Sequence, residues 1–397
     1  MEFSLETNAE NYPFCAEFSP RPDGGILPIL AIFFTCVLCY AETITEGDHQ
    51  LSSKQNRRRN SMGCLTGKTA IVTGSGQGIG RGIAIYLARE GAKVITNNRS
   101  PKAESILKYD RASMPEEDWK QMLSLSGDAE ATAELIRQEG GEAIHFYGDV
   151  SKEEDARKLV QLAIDTWGRL DIVVNNAAGL GSGSIVSLDE KKWDYLTVPK
   201  LRGAFLMMHY AVPHMIEQGF GRIFNCGSSA WTGLVDNDAY TAANAGIVGL
   251  SWAASKELYR HSITVNFYCP EGASPAHAVE YNKMMRNIKA ATGQDPDPRL
   301  LKVVENDHGD PINLGPFIAY LATEEAGYIS GEIFNIKSSG KIARYTRPEL
   351  TQQIQRPEGS GYLWSVDELK DVFRKDVLGE GYVCYATQGA WGWDVKK

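Results

Sequence analysis

The sequence predicts a doubly wound α/β fold, a mainly parallel sheet with helices on both faces. Three observations predict it. From Leu65 onward, short apolar runs alternate with segments of helical periodicity. Several of those runs are near-continuously apolar, as strands covered on both faces must be. The first run, TAIVTG (69–74), ends in glycine and leads directly into a helical segment.

The elements follow in order. RGIAIYLAREGA (81–92) reads as a helix, with Ile83 and Leu87 four apart and Gly91 closing it. KVITNN (93–98) is a second strand, AEATAELIRQEGG (129–141) a helix and EAIHFYGDV (142–150) a strand. Helix DARKLVQLAIDTWG (155–168) leads to strand LDIVVNNA (170–177). A long helix over 193–219, WDYLTVPKLRGAFLMMHYAVPHMIEQG, leads to strand GRIFNCGSS (221–229). Helix YTAANAGIVGLSWAASKEL (240–258) precedes strand ITVNFYCP (263–270). A last helix near INLGPFIAYLA precedes strand GEIFNIK (331–337).

Two segments exceed this pattern. Residues 100–127 insert a polar, partly acidic stretch after the second strand. Residues 341–397 form a C-terminal extension with a short amphipathic helix, WSVDELKDVFRK. Ser365, with Glu368 three later, gives that helix a capping box. The extension either packs on the domain or a partner subunit, or covers a substrate mouth. Residues 1–61 are expected outside the fold, and 62–340 form one domain. The apolar run Ile26 to Ala41 is shorter than the ~18–20 residues that cross a bilayer, and its N-terminal flank is acidic. A membrane role is therefore not expected.

Of 397 residues, 43% are hydrophobic and 23% charged, as in a soluble globular chain. A formal charge of −9 argues against nucleic-acid binding. Seven scattered cysteines, an odd number, fit reduced thiols in a cytoplasmic protein better than a disulfide framework. No metal site is expected: Cys36 and Cys39 form a lone pair, and His209 and His214 have no ligand spacing.

TGSGQGIG places Gly74, Gly76, Gly78 and Gly80 between a strand and a helix. Glycines let the backbone approach a pyrophosphate, and the helix N-terminus offers free N–H groups. The readable strand before and helix after supply the context that a glycine loop alone lacks. The end of the second strand selects between nicotinamide cofactors: a carboxylate binds a ribose hydroxyl, an arginine suits a 2′-phosphate. Asn97, Asn98 and Arg99 stand there, which favours NADP, with NAD also open.

These residues resemble the short-chain dehydrogenase/reductase family. TGSGQGIG resembles its glycine loop, and Asp149–Val150 its adenine-side motif. NNAAG from Asn175, GRIFNCGSS followed by Tyr240, and ITVNFYCP also match, in order, over roughly 65–340. Within the family, the chain is most similar to reductases of 3-oxoacyl thioesters, enzymes of fatty acid metabolism. The resemblance implies a Rossmann-like fold and hydride exchange between a nicotinamide and a ketone or secondary alcohol. It implies a small-molecule carbonyl substrate and a homodimer or homotetramer.

The resemblance also assigns site residues. Tyr240 is the general acid/base, and Ser228, rather than Ser229, hydrogen-bonds the reacting oxygen. Gly74, Gly76, Gln77, Gly78, Ile79 and Gly80 cradle the cofactor, with Asn98 and Arg99 at the ribose and Asp149 and Val150 at the adenine. Asn175, Asn176 and Ala177 line the cofactor, and Pro270 and Ser274 lie on the nicotinamide side. Glu271 stands where glycine is usual in the family.

One position departs more sharply. A free tyrosine has a pKa near ~10, so a tyrosine base needs help to ionise. In the family a lysine four residues on supplies it, from the same helix face. Here that position is Asn244. Upstream, WDYLTVPKLRG puts Lys200 where the family carries an asparagine that projects toward the lysine. The expectation is a reciprocal exchange: Lys200 serves Tyr240, and Asn244 holds the ribose or a water. The alternative is a site decayed to a dinucleotide-binding module that acts through subunit contacts. Pro199 is expected to kink the helix beside Lys200.

Overall fold

A computed structural model describes residues 63–105, 111, 114–179, 181–295, 302, 307–350, 354–355 and 364–379. The apolar run 26–41 and tryptophans 391 and 393 lie outside the described residues.

The expected α/β order is present. Strand β1 (Thr69–Val72) leads through the glycine loop to helix α1 (Gly78–Arg89) and strand β2 (Lys93–Asn98). The insertion carries a four-residue helix α2 (Lys102–Ser105) and helix α3 (Glu116–Leu125). Helix α4 (Ala129–Gln138), strand β3 (Ala143–Tyr147), helix α5 (Glu153–Trp167) and strand β4 (Ile172–Asn175) follow. Asp128 caps α4, its Oδ1 accepting from Ala131 N–H at 2.9 Å. Gly168 ends α5 in the left-handed region, at φ 74°.

The long helix of the sequence is three pieces. Helix α6 (Glu190–Thr197) passes through a π-turn (Val198–Arg202) into α7 (Gly203–Gln218). Pro199 sits inside the π-turn. It has no N–H to give to the helical ladder, so the chain widens by one residue per turn there.

Strand β5 (Gly221–Cys226) and helix α8 (Asp238–Leu258) come next, then strand β6 (Ile263–Glu271) and helix α9 (Pro275–Thr292). Helix α10 (Gly315–Leu321) and strands β7 (Ile333–Lys337) and β8 (Ile342–Arg344) complete the sheet. In the extension, helix α11 (Val366–Val372) starts with both halves of the expected Ser365–Glu368 capping box.

The sheet order is β3-β2-β1-β4-β5-β6-β7-β8. Every pairing is parallel except that of β7 with β8, the edge strand contributed by the extension. The sequence order reverses direction at β1, between β2 and β4. The strand ends on either side of that switch point open a crevice, which holds the glycine loop.

Alternation along each strand feeds two cores. Val72, Phe224 and Tyr268 face α1 and α10, packing with Ile83, Leu87 and Ile318. Ile71, Ile223 and Val265 face α5 and α7, packing with Leu159, Met207 and Met215. Buried Asp171 ties β1 to β4, accepting from Thr69 N–H at 2.8 Å and pairing with Arg169 at 2.6 Å.

Candidate active site

The glycine loop is shaped by contacts that no side chain tolerates. Gly74 and Gly78 lie at φ 63° and 54°. A Cβ on Gly76 would stand 2.0 Å from Asn98 Oδ1 and 2.5 Å from the Asp128 backbone. One on Gly80 would stand 2.5 Å from Asn176 Nδ2. On the opposite side, a Cβ on Gly78 would be 2.9 Å from Ser274 Cβ. The turn is therefore held between the end of β2, the end of β4 and the segment after β6. Gln77 is the N-cap of α1 but makes no side-chain cap. The helix's first-turn N–H groups are left to an outside anion. This cradle fits a dinucleotide pyrophosphate.

Around it, Thr73 Oγ1 accepts from the N–H groups of Asn176 and Ala177, at 2.9 and 3.0 Å. Asn176 Nδ2 donates to the carbonyls of Thr73 and Gly74, both at 3.2 Å. Asn98 Oδ1 is buried with no hydrogen-bond partner. Arg99 is exposed, and no ion pair involves it among the described residues. Asp128, which the sequence did not single out, brings its backbone against the same side of Gly76 as Asn98 Oδ1. Its two oxygens already accept from Ala131 and Lys102 N–H groups, both at 2.9 Å. Burial would raise this carboxyl, but those backbone bonds and a contact with Tyr147 hold it below its ordinary range.

Asp149 Oδ1 accepts from the N–H and hydroxyl of Ser151, at 3.0 and 2.6 Å. Val150 is buried, and a Cβ on Gly203 at the start of α7 would lie 3.1 Å from its Cγ2. Asn175 Nδ2 donates to Asn225 Oδ1 at 2.9 Å, and Asn225 Nδ2 to Ser251 Oγ at 2.9 Å. This buried chain joins β4 and β5 to α8, the helix that carries Tyr240. Asn225 and Ser251 were not legible as site residues, because only the packed sheet brings them to Asn175.

At the end of β5, Gly227 is obligatory: a Cβ there would meet the Phe267 ring at 1.8 Å. The chain can then turn into the 3-10 segment Ser229–Thr232, with Ser228 as its N-cap. Ser228 Oγ accepts from Ala230 N–H at 3.2 Å, which leaves its hydroxyl proton to donate elsewhere. Tyr240 lies in the first turn of α8, half-buried.

Lys200, on the π-turn, is 3% exposed. Its ammonium donates to the Cys226 carbonyl at 3.1 Å and lies 5.7 Å from the centre of the Tyr240 ring. No carboxylate pairs with it among the described residues. Asn244 is fully buried. Its Nδ2 donates to the Tyr240 carbonyl at 2.7 Å, and its Oδ1 has no partner. Cys226 and Cys269 are buried nearby, and burial pushes both thiols up, so neither is an anion at neutral pH.

Pro270 lies within β6, opposite Ile336 of β7. Glu271 extends the strand by one more residue and pairs with Lys337 at 3.0 Å. The unusual residue after the proline thus anchors the strand end to β7.

The site geometry combines a glycine-lined anion cradle at a sheet switch point with a serine, a tyrosine and a buried ammonium. Comparison with known proteins places the chain in a family. The family model described as short chain dehydrogenase matches residues 68–117 and 112–286. The chain belongs to the short-chain dehydrogenase family. An uncharacterized oxidoreductase of Thermotoga maritima is 33% identical over 275 residues, 68% of this chain and 96% of that protein. A (2S)-[(R)-hydroxy(phenyl)methyl]succinyl-CoA dehydrogenase subunit of Thauera aromatica is 27% identical, over 68% of this chain and 96% of its own. A 3-oxoacyl-[acyl-carrier-protein] reductase of Staphylococcus epidermidis is 27% identical, over 68% and 97%. Among solved structures, a short chain dehydrogenase from Mycobacterium avium superposes with a TM-score of 0.58 at 26% identity, covering 79% of this chain and 95% of that one. As a member of this family the chain is an oxidoreductase, and proteins of the family generally bind NAD(P). No helix among the described residues is long and apolar enough to cross a membrane.

Proposed function

We propose that the chain interconverts a ketone and a secondary alcohol, with 3-oxoacyl thioesters as the substrate class, Tyr240 as general acid/base and NADP as cofactor. The observation that carries the proposal is the Lys200 ammonium, buried with no carboxylate partner among the described residues, 5.7 Å from the centre of the Tyr240 ring. The acyl thioester class is supported by the names of two relatives, a 3-oxoacyl-[acyl-carrier-protein] reductase and a succinyl-CoA-type dehydrogenase.

Held by the glycine loop, a nicotinamide cofactor would supply or accept the hydride. In reduction, the Tyr240 hydroxyl gives its proton to the carbonyl oxygen; in oxidation it takes the proton back. Ser228 donates its hydroxyl proton to the same oxygen as charge develops there. Lys200 favours the negative form of the tyrosine oxygen. Asn244 takes over the polar half of the exchanged pair, with Oδ1 as acceptor for a ribose hydroxyl or a water. The glycine loop from Gly74 to Gly80, with Gln77 and Ile79, holds the pyrophosphate. Asp149, Val150, Asn175, Asn176 and Ala177 flank the cofactor, and Pro270 and Ser274 bound its nicotinamide end. NADP is supported by neutral Asn98, by Arg99 with no ion pair among the described residues, and by an Asp128 carboxylate already committed to capping α4. A homodimer or homotetramer is supported by an apolar groove beside the π-turn, lined by Val198, Leu201, Phe205 and Leu250.

The test is NADPH oxidation with 3-oxobutyryl-CoA. Lys200→Ala is expected to lower turnover about 10²-fold or more and to move the pH profile. The double variant Lys200→Asn with Asn244→Lys is expected to recover most of the loss. If Lys200→Ala keeps wild-type turnover and pH profile, the exchange is wrong. If wild type binds NADPH but reduces no ketone, the enzyme reading is wrong.

A further inference from the structure

We infer that Trp231 and Tyr345 form the wall of the substrate site that receives the acyl group, and that this wall selects a planar, aromatic acyl group over a short aliphatic one. The inference rests on the ketone chemistry proposed above and adds the substituent the ketone carries.

Tyr345 comes from the C-terminal extension, directly after β8. Its position is fixed by the sheet: β8 pairs with β7, and Tyr345 N–H donates to the Ile333 carbonyl at 2.9 Å. From there its ring packs edge-on against Trp231, with centroids 5.5 Å apart and planes at 76°. Trp231 belongs to the turn that Ser228 caps, and its N–H donates to the Ser228 carbonyl at 3.1 Å. On its other side the phenol of Tyr345 lies near Cys269 and Glu271, which bracket Pro270. Burial, and then those two neighbours, push its pKa up to about 12, so the phenol is neutral.

Tyr345 therefore reaches from the serine turn to the strand end assigned to the nicotinamide side. A carbonyl carbon held by Ser228 and Tyr240 must lie between those two places, and its substituent leaves past residue 231. Both rings rest on the apolar cluster of Ala204, Ile247, Val248, Phe267, Cys269 and Ile333. Both are only half-buried, so each keeps surface that a ligand can cover. An edge-to-face aromatic pair adds a third ring favourably, and an alkyl chain gains only the buried area.

The experiment is calorimetric titration of the full-length protein, saturated with NADP⁺, with 3-oxo-3-phenylpropionyl-CoA and with 3-oxobutyryl-CoA. The phenyl compound is expected to bind about 3- to 10-fold tighter. Tyr345→Ala and Tyr345→Leu are expected to bring the ratio near one, and Tyr345→Phe to keep it. NADP⁺ affinity should be unchanged in all three, and the leucine variant keeps enough apolar bulk to fold. A wild type without preference, or a leucine variant that retains it, overturns the wall. Turnover of both thioesters is read separately. Binding with the expected ratio but no turnover sinks the ketone chemistry and leaves the wall; turnover with a ratio indifferent to residue 345 does the reverse.

Discussion

An ammonium held away from water needs an anion or several dipoles. Lys200 has one carbonyl, from Cys226, and a tyrosine ring beside it. Asn244 shows the complementary need, with one bonded nitrogen and one buried oxygen left over. Each residue is locally incomplete in a way that a bound cofactor and an ionising tyrosine would complete. The glycine loop invites a different test at the same scale. Gly76→Ala would force a methyl group into Asn98 and the Asp128 backbone. It is expected to weaken NADPH binding at least ~10-fold and to cost about 1–3 kcal/mol in stability. Fluorescence titration and a thermal melt read the two effects; unchanged NADPH affinity would show that the cradle is elsewhere.

At the scale of elements, the insertion after β2 does more than lengthen a loop. Helix α3 packs against α9, the helix that follows β6. Asp118 of α3, 5% exposed, pairs with Arg286 of α9 at 2.6 Å and accepts from Asn282 Nδ2 at 3.0 Å. The insertion then returns through Gly127, where a Cβ would lie 2.4 Å from the Gly76 carbonyl oxygen. The insertion is thus tied to α9 through one buried carboxylate and to the glycine loop through Gly127. Asp118→Ala is expected to cost about 1–3 kcal/mol locally. It should raise amide hydrogen exchange in both 116–128 and 275–292. Faster exchange in only one of the two segments would mean they are not coupled.

Across the whole molecule, the sheet's far edge is closed by a charged knot. Asp307 accepts from Lys337 Nζ and Ser339 Oγ, both at 2.8 Å, and Lys337 also pairs with Glu271 at 3.0 Å. The knot joins the end of β6, the β7–β8 hairpin and the segment after α9. Burial alone would raise the Asp307 carboxyl, but the bonds from Lys337 and Ser339 and the charges of Lys337 and Lys341 outweigh it and lower it. A lowered carboxyl stabilises the fold above its unfolded pKa, and that stability is lost as pH falls through the folded value. Wild type is therefore expected to lose stability below about pH 4. Asp307→Asn should be about 1–3 kcal/mol less stable at neutral pH, with a flatter profile in acid. Urea melts across that range give the answer, and parallel profiles would remove Asp307 from the account.

The sequence by itself determined the order of strands and helices, the glycine loop and the capping box at Ser365, because each depends on near neighbours in the chain. Strand periodicity, positive-φ turns and N-caps are local matters. Lys200 and Asn244 stand out as an exchanged pair only through the resemblance to the family's pattern, not through spacing. The tertiary structure decided what spacing cannot. Pro199 became a π-turn because the helix continues on both sides of it, packed against the sheet. Asn225 and Ser251 joined Asn175 only when β4, β5 and α8 came together. Asp128 arrived beside Asn98 from 30 residues away, and Tyr345 beside Trp231 from 114 residues away, through sheet pairing and packing. Contacts of that range are set by how the layers stack, and no local pattern encodes them.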